Sequence, residues 1–139
     1  MTEPLLDRLF TAALQARDNA YAPYSNFHVG VALLDENGHI HAGCNVENAA
    51  FPQGVCAEAG ALSAMVLAGG RRLAAVLVIG DGPRPVTPCG GCRQKLREFG
   101  DDALPILVAD PTGLRQRYTL GQLLPDSFGP EDLQKEPTE

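Results

Sequence analysis

Between Pro4 and Ala20 the apolar residues Leu6, Phe10 and Ala13, flanked by Leu5, Leu9 and Ala16, recur at three- and four-residue steps. That period predicts an amphipathic first helix opened by its proline. "YAPYSNF" breaks the pattern, "VGVALL" reads as a strand, "DENG" as a turn in which glycine takes φ > 0 at little cost, and "HIHAGCNV" as the returning strand of a hairpin. From Val55 to Ala68, the residues Val55, Leu62, Met65 and Val66 mark one face of a second helix, with Ala57, Ala61, Ala64 and Ala68 allowing close backbone approach. Gly69 and Gly70 stop it. "AAVLVIG" and "LPILVAD" are short apolar runs bounded by turn residues, the pattern of strands buried on both faces. Between them lies "DGPRPVTPCGGCRQKLREFG", loop in its first half; Cys92, Leu96 and Phe99 then set a helical period that starts near the cysteines. "LRQRYT" supplies a last strand. The order predicts a layered α/β domain, helices packed on a mixed sheet.

Composition narrows this picture. A chain of 139 residues that is 45% hydrophobic suits one domain over residues 1–139, with a polar, proline-broken tail expected to fray from about residue 129. The formal charge of −6 disfavours a nucleic-acid partner, which would require Lys and Arg gathered on one face. No basic-then-apolar leader opens the chain and no run is long enough to span a bilayer, so no membrane partner and a cytoplasmic location are expected. In a reducing compartment the four cysteines, Cys44, Cys56, Cys89 and Cys92, point to metal binding or catalysis rather than to disulfides.

Their placement carries the chemistry. Cys56 and Glu58 open the second helix and Cys89 and Cys92 the third, where free N–H groups and the positive end of the helix dipole favour thiolates. The two-residue gap of "CGGC" lets both sulfurs reach one ion, and its glycines allow the tight turn. With Cys56 as third ligand, a tetrahedral zinc keeps one position for water, the mark of a catalytic rather than a structural site. Glu58 stands beside that position as a proton carrier. The blander alternative makes Cys56 a small buried residue and Glu58 a solvated helix acid.

"CAE" at 56–58 with "PCGGCRQ" at 88–94 resembles the small, homotetrameric, zinc-dependent cytidine deaminases. The resemblance extends over nearly the whole chain: "YAPYSNFHVG" is similar to that family's entrance motif, "GCNVENA" to its ribose-binding segment and "LLPDSFGPEDL" to its C-terminal closing motif. It implies a three-layer helix/mixed β-sheet/helix fold and one zinc ion per subunit held by Cys56, Cys89 and Cys92, with Glu58 as proton shuttle. It further implies that Asn45 and Glu47 hold the ribose 3′-hydroxyl, that Phe27 packs on the pyrimidine, and that the backbone around Ala57 meets the base. Phe128 matches an aromatic that reaches into a neighbouring subunit's pocket, so the implied assembly is a homotetramer with shared pockets. The implied activity is hydrolysis of cytidine and deoxycytidine to uridine and deoxyuridine with release of ammonia, in pyrimidine salvage.

Two positions depart from the family pattern. Ala59 stands where many relatives carry arginine after "CAE", and Phe51 where they commonly carry tyrosine. Three thiolates outweigh the charge of zinc by one, so another source of positive potential is needed; the two helix N-termini and Arg93 are the candidates. Cys44 reads as a small buried residue, His39 and His41 as a pair on one face of a solvated hairpin, His28 as a neighbour of the pocket with no assigned proton, and Arg71 and Arg72 as a basic patch opposing a helix C-terminus. A thiol oxidoreductase would account only for "CGGC" and a structural zinc module only for the thiols. A deaminase of a modified cytosine nucleoside shares the same centre, and a nucleic-acid editor fits the acidic chain least.

Overall fold

The structure, a computed structural model, describes residues 1–134. Thr2 caps the first helix, α1 (Glu3–Asp18), its hydroxyl accepting the Leu5 N–H at 3.3 Å. The hairpin follows as β1 (Val29–Asp35) and β2 (Ile40–Cys44), then α2 (Ala57–Leu67), β3 (Leu73–Gly80), α3 (Gly90–Arg97), β4 (Pro105–Asp110), β5 (Gly113–Thr119) and the single turn α4 (Leu120–Leu123). Short 3₁₀ turns occupy Phe51–Gln53 and Pro130–Asp132. The last turn lies within the tail expected to fray; Glu131 pairs there with the buried Arg97, and residues 135–139 fall outside the described residues.

The five strands form one sheet in the order β2-β1-β3-β4-β5, with β3 and β4 parallel and every other pair antiparallel. Alternation along the strands divides the core. Ala75, Leu77 and Ile79 of β3 join Ala32, Leu34, Leu107 and Ala109 beneath Leu9 and Ala13 of α1. Val76 and Val78 face the other way with Val31, Leu33 and Ile106, against Ala61, Leu62 and Met65 of α2 and Leu96 of α3. The three layers are therefore those expected from the sequence.

Two glycines let helices lie against strands. A Cβ at Gly30 would stand 2.0 Å from the Ala13 carbonyl oxygen on the α1 side, and one at Gly43 would stand 2.3 Å from the Ala61 amide nitrogen on the α2 side. The alanine face of α2 meets β2 through this contact. As a result the buried stripe of the helix is Ala57, Glu58, Ala61, Leu62 and Met65, and the expected Val55 and Val66 are exposed. Val55 instead precedes the helix, in a bridge with Val46.

The hairpin end also departs from its reading. Asp35 is 2% exposed, and its carboxylate accepts the amides of Asn37 and His39 and meets His41 Nε2 at 2.7 Å. A buried carboxylate requires such partners, so His41 is turned inward while His39, outside the strand, stays in solvent. Arg71 behaves as its position predicts, donating to the Val66 carbonyl at the end of α2.

Candidate active site

Backbone pairing and the intervening strand β3 bring the two cysteine segments together from the middle of the sequence. Val46 exchanges both backbone hydrogen bonds with Val55, at 2.9 and 2.8 Å, and the next residue, Cys56, is the N-cap of α2. Cys89, beyond the loop that leaves β3, is the N-cap of α3 and Cys92 lies in its first turn. The Sγ atoms of Cys56, Cys89 and Cys92 all fall within 4.8 Å of one another. Cys44 is not among them; its sulfur lies 3.9 Å from the Asn19 carbonyl oxygen.

These three thiols line a cavity of about 210 Å³ with Asn45, Ala57, Glu58, Val29, Val78, Val86 and Thr87. Six of the residues expected at the site are thus brought together: the three cysteines, Glu58, Ala57 and Asn45. Val29, Val78, Val86 and Thr87 carry no chemical signature of their own and complete a mostly apolar wall.

Electrostatics inside the cavity depend on burial. Glu58 is 4% exposed, and loss of solvent pushes its carboxyl above the ordinary range, opposed in part by backbone N–H and by the charge of Lys95. Burial likewise raises the Cys92 and Cys56 thiols, with the neighbouring acidic groups adding to the effect. Cys89 goes the other way, because the Cys92 and Gly91 amides of the helix N-terminus favour its thiolate more than burial opposes it. Three convergent sulfurs, two of which resist ionisation without a nearby cation, are a donor set suited to zinc, which prefers thiolate and tetrahedral geometry.

Arg93, a candidate source of positive potential, is anchored in the segment before Cys89. Its guanidinium donates to the carbonyls of Pro88 and Leu123, both at 2.7 Å, and to Thr87 Oγ1 at 3.0 Å. These bonds brace the loop that delivers Cys89. The Lys95 ammonium, by contrast, stands 3.7 Å from where a Cβ on Gly91 would lie, close to the turn between the two ligands of "CGGC".

The remaining expected residues do not line the thiol cavity. Glu47 accepts the amides of Tyr24 and Ser25, at 2.9 and 3.1 Å, and the Ser25 hydroxyl, and lines a second cavity of about 320 Å³ with Tyr24, Asn48 and Phe51. Phe51 packs edge-on against Tyr24, ring centroids 5.9 Å apart. Phe27 is partly exposed. Phe128, 57% exposed, lines neither cavity; its carbonyl accepts from Gln94 Nε2 at 2.8 Å, and Arg97 holds the preceding Ser127 hydroxyl at 2.9 Å.

Residues 5–108 match the family model described as the cytidine and deoxycytidylate deaminase zinc-binding region. The chain is 41% identical over 128 residues to a cytidine deaminase of Sporosarcina psychrophila, covering 92% of this chain and 94% of the relative. It is 43% identical to a cytidine deaminase of Mycobacterium tuberculosis over 124 residues, 89% of this chain and 90% of the other. Among solved structures, the cytidine deaminase of Burkholderia pseudomallei superimposes with a TM-score of 0.83 at 43% identity, over 92% of this chain and all of that one.

Proposed function

The chain belongs to the zinc-dependent cytidine deaminase family, and from that premise we propose that it hydrolyses cytidine and deoxycytidine to uridine and deoxyuridine with release of ammonia, as a step of pyrimidine salvage. The observation that carries this reading is the convergence of Cys56, Cys89 and Cys92 on one point beside the buried carboxylate of Glu58. A redox role for "CGGC" leaves Cys56 and Glu58 unexplained.

Zinc held by the three thiolates supplies Lewis-acid activation of water, drawing its pKa towards neutrality. Glu58 carries the protons. Its carboxylate takes one from the attacking water and gives it to ring N3 as the water oxygen bonds to C4; it then takes the second from the new C4 hydroxyl and gives it to the exocyclic amine, and the C4–N bond breaks to release ammonia as C4=O forms. Water and cytidine together thus become uridine and ammonia, with Glu58 returned to its starting state. The backbone around Ala57 meets the polar edge of the base, and Phe27 packs on its ring. Asn45 and Glu47 take the 3′-hydroxyl, leaving the 2′ position unread, so both nucleosides are substrates.

Assembly is part of the same proposal. Phe128 is exposed and lines neither cavity described above, and exposed Tyr24 and Phe51 line the cavity that holds Glu47. A homotetramer in which a neighbour's Phe128 closes this opening accounts for both. No helix among the described residues is long and apolar enough to cross a membrane, and the four cysteines are free thiols, which suits a reducing cytoplasm.

The test is loss of cytidine absorbance together with ammonia release by purified protein. Turnover should vanish when zinc is stripped by a chelator and return when zinc is restored. Turnover that persists in zinc-free protein contradicts the proposal.

A further inference from the structure

The sheet does not reach the segment that leads into the pocket. β1 begins at Val29, yet three successive amides, those of Phe27, His28 and Val29, each donate to a side chain: Ser25 Oγ at 3.0 Å, Asp81 Oδ2 at 2.8 Å and Asn45 Oδ1 at 2.8 Å. The Phe27 carbonyl accepts from Asn45 Nδ2 at 2.8 Å, which fixes the plane of that amide. Asn45 then has one N–H and one lone pair left for a ligand hydroxyl in the cavity it lines. Asn26, just before this segment, holds a left-handed φ of 58° without being glycine, so the turn depends on such bonds to keep its shape.

Ser25 and Asn45 lie in segments already tied to substrate. Asp81 does not. It is the first residue beyond β3, and besides the His28 amide it engages the His28 ring, Nδ1 lying 3.2 Å from Oδ2, and the Arg17 guanidinium, with Nε at 3.0 Å from Oδ1. One carboxylate therefore joins the end of α1, the start of β1 and the end of β3. Burial pushes the Asp81 carboxyl upward, but the bonds from the His28 amide and Arg17 outweigh it and hold the group ionised below the usual range. The ring of Phe27 lies against the next residue, 3.7 Å from where a Cβ on Gly82 would stand, so the same corner supports the aromatic proposed for the base.

We propose that Asp81 is a positioning residue for nucleoside recognition, clamping residues 27–29 so that Asn45 presents its free donor and acceptor to the sugar. The proposal rests on the reading of Asn45 as a ligand of the 3′-hydroxyl. Without the carboxylate the His28 amide loses its acceptor, the segment slackens, and Asn45 loses the two backbone partners that orient it. The metal centre, built on α2 and α3, keeps its own supports.

The experiment compares Asp81→Ala and Asp81→Asn with the wild type on two substrates, deoxycytidine and 2′,3′-dideoxycytidine, with bound zinc measured in each. The wild type should prefer deoxycytidine. In Asp81→Ala, kcat/KM for deoxycytidine should fall about tenfold, the scale of one hydrogen bond to a charged group, through KM rather than kcat. Turnover of the dideoxy compound should change much less, and zinc should stay at one per chain. Asp81→Asn keeps an oxygen for the His28 amide without the charge for Arg17, and should fall between. Equal losses on both substrates, a fall in kcat alone, or loss of zinc in Asp81→Asn would overturn the proposal and make Asp81 a purely structural tie. A wild type that does not distinguish the two substrates would overturn the sugar assignment itself, before any variant is made.

Discussion

Cys56 and Cys89 occupy the N-caps of α2 and α3, and those helices are set in place by apolar packing on one face of the sheet and by backbone contact at Gly43. Asn45 and Glu47, in the segment before Cys56, are held instead by side-chain hydrogen bonds to the backbone: the amides of residues 24, 25 and 29 donate to them, and Asn45 donates to the carbonyl of residue 27. The two halves of the proposed site thus rely on different forces. Packing of a core tolerates little change in volume and fixes the thiols rigidly. Hydrogen bonds near the surface are individually modest, and a segment built on them can be retuned by single side chains. In the proposed function, reaction chemistry sits on the first kind of support and recognition of the nucleoside on the second.

The sharpest separation should come from Glu58→Gln. The amide keeps the size of the side chain but can neither take up nor release a proton near neutral pH, so kcat should drop by about 10²–10⁴-fold with zinc content unchanged. Retained turnover would remove Glu58 from the reaction. A smaller but still large effect is expected at Gly43→Ala, whose new Cβ would meet the backbone of Ala61 and Ala57. Chemical unfolding should show a loss of about 3 kcal/mol, with zinc released at lower denaturant than in the wild type. Wild-type stability in that variant would mean that backbone contact does not hold the thiol half. The tenfold, KM-borne effect set out for Asp81 is the smallest of the three and belongs to the recognition half alone.

How far each half could be read from the sequence follows from the same contrast. The ligands of the thiol half are signalled locally: "CGGC" has a two-residue gap, "CAE" opens an alanine-rich run, and both stand where helical periodicity begins. Helix faces were less legible. Val55 and Val66 look apolar and suitably spaced, but the close approach of β2 at Gly43 selects the small residues, and the valines face outward. The partners of His41 and Arg93 are also not legible, because what orients them is a partner's need. Buried Asp35 draws in the histidine, and the carbonyls of Pro88 and Leu123 draw in the arginine. Asp81 was invisible for a simpler reason: its partners Arg17 and His28 lie 64 and 53 residues away, and an aspartate after a strand has no periodicity to betray it. The tail from residue 129 reads as polar and broken, yet Arg97 ties Ser127 and Glu131 down.

The measurement that bears most directly on the whole is X-ray absorption at the zinc edge of the purified, active protein. The expected shell is three sulfurs at about 2.3 Å and one oxygen or nitrogen from water at about 2.0 Å. A shell of four sulfurs, or one in which a fourth protein ligand fills the position where water must enter, would contradict a catalytic zinc at Cys56, Cys89 and Cys92.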